Sequence, residues 1–239
     1  ALEHFLFFAT GALMWAAGEG HAGVVRALIA KGATVNMKSS DHDTTAHKLT
    51  AGTPVAPIPR GGLTALLLAA RQGQIEAAQA LLDGGADINL TEPDGNSALV
   101  MAILNKHWDF AQMLIDRGAD PNLATVKEGR AALYTAVDTY DGDWSPRPDR
   151  RENDKLSGLD IIRSLLAHGA NANAQLTAAS PIKKLAQDGG DRTVAEGGTA
   201  FMRAARSADV EVMKVLLDHY AEPTLANKDG INALMLAAG

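Results

Sequence analysis

Apolar residues along this chain fall in short bursts with helical spacing, and one burst recurs. An Ala, then a large apolar residue, then a second Ala three further on occurs six times: Ala12-Leu13…Ala16, Ala65-Leu66…Ala69, Ala98-Leu99…Ala102, Ala132-Leu133…Ala136, Ala200-Phe201…Ala204 and Ala233-Leu234…Ala237. With the large residue as anchor, successive anchors lie 53, 33, 34, 68 and 33 residues apart. Three of these share one period, and the other two read as the same unit with added loop. Self-similarity at that period marks a stacked-repeat architecture, in which each unit packs on its neighbours.

A second burst tests the register. Leu28-Ile29, Leu81-Leu82, Leu114-Ile115 and Leu216-Leu217 each begin 15 residues after their anchor. Gly32-Ala33, Gly85-Ala86 and Gly118-Ala119 begin 19 after it, and Asn36, Asn89 and Asn122 follow at 23. In the fourth unit Leu165-Leu166, Gly169-Ala170 and Asn173 recur with a uniform excess of 17. That excess must lie between the two bursts. The pattern predicts a unit of turn, short helix, turn, longer helix and loop. Gly62, Gly95, Gly129, Gly197 and Gly230 stand four before their anchors, where a tight turn needs positive φ. Thr64, Ser97 and Thr199 stand two before, as N-caps of the first helix. Val24, Val25, Leu28 and Ile29, like Ile161, Ile162, Leu165 and Leu166, have the spacing of one apolar face on the second helix. Gly32, Gly85, Gly118 and Gly169 are placed to end that helix.

The segments Gly62–Asn89 and Asp94–Asn122 resemble ankyrin repeats. The resemblance extends over nearly the whole chain outside three insertions and implies an all-α ankyrin-repeat α-solenoid. On it the chain is one repeat domain, with units at about 9–37, 61–90, 94–123, 128–174 and 197–225, and a sixth begun at 229–239. Insertions fall at about 38–60, 140–157 and 175–196; the first and third enlarge the finger loops between repeats, and the second separates the helices of the fourth. Ala replaces the Pro of the family's TPLH signature in all six units, and Met14, Leu67, Val100, Tyr134, Met202 or Met235 replaces its His. Tyr220 stands where other units have Gly, which argues against a standard left-handed cap there. These departures suggest a divergent, bacterial branch. The sixth unit stops within its first helix, so the chain is expected to continue past Gly239.

Composition narrows the function classes. Apolar residues make up 46% but aromatics only 5%, as suits closely packed short helices. With 28 acidic against 22 basic residues and a net charge of −6, no charge-based case for nucleic acid arises. Cysteine is absent, which excludes disulfides and thiolate-bound zinc and leaves the compartment open. The apolar stretch Phe5–Ala17 is too short to span a bilayer and lacks a basic flank. Ala1 is not an initiator, so a leader ahead of it also stays open.

Candidate chemistry is sparse. His21, His107, His168 and His219 sit at repeat turn positions, which accounts for them without a ligand role. His42 and His47 with Asp41 and Asp43 could contact a divalent ion, but no helix or strand fixes them, so no metal is expected. Asp138, Asp141 and Asp143 lack the spacing and distal Glu of a calcium loop. Trp144 beside Arg147, Arg150 and Arg151 is recognition chemistry, balanced against a Trp packed on its own loop. No nucleophile elbow, P-loop or dinucleotide fingerprint occurs, so neither catalysis nor a cofactor is expected.

The resemblance implies a scaffold whose protein partner docks on the concave face, between the enlarged fingers, with the ends of the first helices as the reading surface. The residues assigned to it are Arg71, Gln72, Leu104, Asn105, Arg130, Asp138 and Arg206, with Trp144 on the opposite rim. Leu63 and Asn96 are expected to face outward beside them. An alternative is a regulatory or accessory subunit of an enzyme that senses a small ligand or metal through the long loops.

Overall fold

A computed structural model describes residues 11–40, 61–140, 154–178, 194 and 196–238. Eleven helices follow in order, with no strand among the described residues: α1 (residues 11–18), α2 (Ala22–Ala30), α3 (Ala65–Gln72), α4 (Ile75–Asp83), α5 (Ala98–Leu104), α6 (Trp108–Asp116), α7 (Ala132–Tyr140), α8 (Gly158–Ala167), α9 (Ala200–Arg206), α10 (Val210–Asp218) and α11 (Ala233–Ala238). They form two units, Ala1–Ala98 with α1 to α4 and Leu99–Gly239 with most of α5 and α6 to α11. In the first unit α2 packs on α4, and α3 on α4. In the second, the first helices of successive repeats stack as α7, α9 and α11, and the second helices as α6, α8 and α10. The long segment between α8 and α9 therefore does not interrupt the stack.

The register is the predicted one. Leu13, Leu66, Leu99, Leu133 and Phe201 are each at most 3% exposed. The small Ala residues at 16, 69, 102, 136 and 204 are at most 5% exposed, and so admit close helix approach. At the sixth anchor the pattern changes: Leu234 is exposed, while Ala233 and Leu236 turn inward as α11 packs on α9. Thr64 and Thr199 cap α3 and α9, accepting from the amides of Leu67 and Met202. Ser157 and Asp160 form a reciprocal capping box on α8, which starts the helix cleanly after the second insertion.

Every finger closes on the same two hydrogen bonds. In the short fingers the amide of Glu92 donates to Asn96 O and that of Gly95 to Glu92 O; Thr125 pairs likewise with Arg130 and Gly129, and Asn227 with Ile231 and Gly230. The two enlarged fingers show the same rung. Ser39 N donates to Leu63 O and Gly62 N to Ser39 O; Leu176 N donates to Gly198 O and Gly197 N to Leu176 O. Both insertions thus leave and rejoin the described chain at an unchanged finger base. A side chain at Gly197 would be strained, since φ is +84° and an added Cβ would lie 3.0 Å from the backbone of Asn227.

Joining Ser40 directly to Gly61 leaves the rung residues spaced as in the Glu92–Gly95 finger. Shortening this loop is expected to stabilise the first unit by roughly 1–2 kcal/mol through loop-closure entropy. A urea titration of the shortened chain checks this, and a fall in midpoint would contradict it.

Asn36, Asn122 and Asn173 clamp one repeat to the next. Asn36 Nδ2 donates to Gly85 O at 3.1 Å and its Oδ1 accepts from Asp87 N at 2.8 Å. Asn122 bonds Gly169 O and Asn171 N in the same way, and Asn173 bonds Tyr220 O and Glu222 N. Each amide ties off the end of the following second helix. Asn173→Ala removes both bonds and is expected to cost about 1–2 kcal/mol, since water partly replaces them at this exposed site. Thermal melting of the variant measures it.

Tyr220 corrects the expectation for the fifth cap. Its φ is +64°, and Tyr220 N and Ala221 N bond Leu217 O and Leu216 O. Gly118 N and Ala119 N bond Ile115 O and Leu114 O in the same way. The left-handed cap forms without glycine, because the Asn173 clamp and the helix carbonyls hold it, at a cost of about 1–2 kcal/mol.

Candidate functional site

The first helices of ankyrin-like units end in short polar segments, and the residues assigned there separate into two groups. Arg71 and Gln72 form the last turn of α3 and are exposed; Gly73 follows in the left-handed region at φ +67° and ends the helix. Arg206 is exposed at the end of α9, with Ser207 beside it. These residues keep the expected outward placement. Asn105 is half-buried, and its side-chain amide turns back to donate to Met101 O at 2.7 Å, closing α5.

Leu104, Arg130 and Asp138 are not outward-facing, and each has a local reason. Leu104 is 8% exposed, an apolar end to α5 folded into the core. Arg130 is 5% exposed. Its backbone forms the base rung of a finger, with Arg130 N donating to Thr125 Oγ1 and Arg130 O accepting from Thr125 N. Asp138 lies on α7 against Arg203 of α9, with Nε to Oδ1 at 2.5 Å and side chains only 11% and 7% exposed for Arg203 and Asp138. The neighbouring first helix has claimed its charge. Arg203 also donates to Ser207 Oγ, so one guanidinium joins α7, α9 and the turn after α9. Leu63 and Asn96 are half-buried; Leu63 N donates to Ser39 Oγ, and Asn96 is held by the buried carboxylate of Glu92.

Trp144 lies outside the described residues, as do Arg147, Arg150, Arg151, Asp141, Asp143, Asp41, Asp43, His42 and His47. The base of the second insertion is described, and it is stapled to α6. Asp154 Oδ2 accepts from Trp108 N at 3.0 Å, and Asp109 accepts from the amides of Lys155 and Leu156. Asp154 thereby satisfies an unpaired N-terminal amide of α6 in place of His107, the N-cap residue, which makes no cap bond. The third insertion is pinned on both sides: Thr177 N donates to Glu128 O, and Lys228 N donates to Glu196 O. The Glu196 carboxylate, by hydrogen bond and then by charge, raises Lys228 above the usual lysine range.

The histidines at turn positions behave as structure. His21 and His107 occupy N-caps of α2 and α6. His168 and His219 close α8 and α10, with Nδ1 at 2.8 Å from Ser164 O and 2.9 Å from Val215 O. Among the described residues no group of three or more His, Asp or Glu could hold a metal ion. Nor is any described helix long and apolar enough to cross a membrane.

Helix pairs of this period, glycine-turned fingers and asparagine clamps together define the repeat. A family model of three tandem ankyrin repeats matches residues 13–125 and 66–142, and a model of one ankyrin repeat matches 196–228, together more than half of the chain. The chain belongs to the ankyrin-repeat family. No curated protein matches it. Ankyrin repeats are generally protein–protein interaction modules and are typically non-enzymatic. In this ankyrin-repeat protein, the Arg203–Asp138 pair and the bonds of Asp109 and Asp154 at the base of the second insertion are features that sequence reasoning missed. Arg203 stands two after an anchor, a position read as part of the core helix, and nothing near Asp109 signals a partner beyond the next helix.

Proposed function

We propose that this ankyrin-repeat chain is a scaffold that binds a protein partner through the exposed ends of its first helices and the tips of its enlarged fingers. The observation that supports this reading is the contrast between a repeating core and a varying edge. The buried anchors are all Leu or Phe, whereas the exposed helix ends carry Arg71 and Gln72 in one unit and Arg206 and Ser207 in the other. Side chains on preformed helices lose little ordering entropy on binding. Guanidinium groups suit such a surface, since they pair with carboxylates and stack on aromatic rings.

The test compares wild type with Arg71→Ala, Arg206→Ala and the double variant, each shown to share one melting temperature. Partners are recovered from the native host and their affinities measured. Loss of about 2 kcal/mol at either arginine is the expected size for an interface anchor. Retention of every partner at unchanged affinity by the double variant, and by a chain with both finger tips excised, would overturn the reading.

A further inference from the structure

We propose that residues 154–156 are a latch, which holds the second insertion on repeat three and opens as a local unit, uncovering Trp108 while α6 and α8 stay folded. The latch closes through two carboxylates that work in opposite directions. Asp154 Oδ2 accepts from Trp108 N at 3.0 Å, and Asp109 of α6 accepts from Lys155 N and Leu156 N at 3.0–3.2 Å. Each side thus caps amides of the other. Neither bond is local, since 46 or 47 residues separate the partners.

Other repeats join their two helices directly. Gly73 and Gln74 separate α3 from α4, and residues 207–209 separate α9 from α10. α10 caps itself through Asp209 to Val212 N, and the N-cap residues of α2 and α4 make no side-chain cap bond. α6 takes its carboxylate from the following repeat instead. It also begins on Trp108, where α2, α4 and α10 begin on Ala22, Ile75 and Val210. That residue is 3% exposed, with its amide held by the latch.

The helices on either side have their own support. α8 starts on its capping box of Ser157 and Asp160, so its first turn does not depend on the residues ahead of Ser157. Five residues of α6 and six of α8 are buried, and the two helices pack directly on each other. The latch itself is shallow: Asp154 and Leu156 are half-buried and Lys155 is exposed. Segments held by few buried groups open below global unfolding. A pull on the second insertion, such as a bound partner exerts, is therefore felt at Trp108 through Asp154 without unravelling α8.

Amide exchange of the full chain at fixed pH, resolved by NMR, tests this. Emission of Trp108 is read in a Trp15→Phe/Trp144→Phe background, since the chain has three tryptophans. Asp154→Ala is expected to speed exchange of Trp108 N, and also of Lys155 N and Leu156 N, by about ten-fold or more, the worth of a charge-assisted bond. Exchange in α8 is expected to stay unchanged, and acrylamide quenching of Trp108 to rise. Asp154→Asn keeps an acceptor oxygen and is expected to restore most of the protection, which separates loss of the latch from a misfolded variant. Unaltered exchange at Lys155 and Leu156 in Asp154→Ala would show two independent caps. Equal acceleration through α8 would show that the segment is part of the helix pair. Either result, or unaltered quenching of Trp108, would overturn the proposal.

Discussion

Arg203→Ala is expected to destabilise the second unit by about 3–5 kcal/mol, the cost of stranding one charge of a buried pair. Asp138 is 7% exposed at its side chain and lies 2.5 Å from the Arg203 Nε, so its carboxylate would be left between α7 and α9 with little water to replace the guanidinium. Urea unfolding of the variant measures the loss. The double replacement Arg203→Met/Asp138→Leu is expected to recover most of it, because well-packed apolar side chains often replace a buried pair without net cost. A loss under about 1 kcal/mol for Arg203→Ala would show that the pair behaves as a solvated surface contact. The same experiment bears on recognition, since Asp138 is spoken for by its neighbour and is a poor candidate to meet a partner.

Leu99→Ala is expected to cost about 2–5 kcal/mol, the range for truncating a large side chain in a close-packed core. Leu99 is 1% exposed in α5. Leu234 occupies the equivalent place in the sixth repeat but is 77% exposed, so Leu234→Ala is expected to stay within about 0.5 kcal/mol. Equal shifts in melting temperature for the two variants would contradict the burial pattern.

Some departures from sequence expectation are decided by a neighbouring element and others by the residue's own turn. Tyr220 takes the left-handed cap that its side chain disfavours, because Asn173 of the preceding repeat binds its carbonyl. Arg130 looked like an exposed turn residue, yet its backbone forms the rung that closes a finger. Asp154 caps α6 from the end of a long insertion, a partnership that no local spacing announces.

What the sequence determined by itself is the repeat: the period, the buried anchors, the Thr caps and the glycine turns. These are local or nearest-neighbour properties, set by helix periodicity and by the φ a turn requires, and repetition makes each legible several times over. The identity of the residues that face outward was decided by tertiary structure. Arg71 and Arg206 remained at the surface, while Asp138, of the same polar character at an equivalent helix end, was turned inward by Arg203. The physical reason is that burial of a charge depends on finding a counter-charge within hydrogen-bond reach, and that partner sits 65 residues away on another helix.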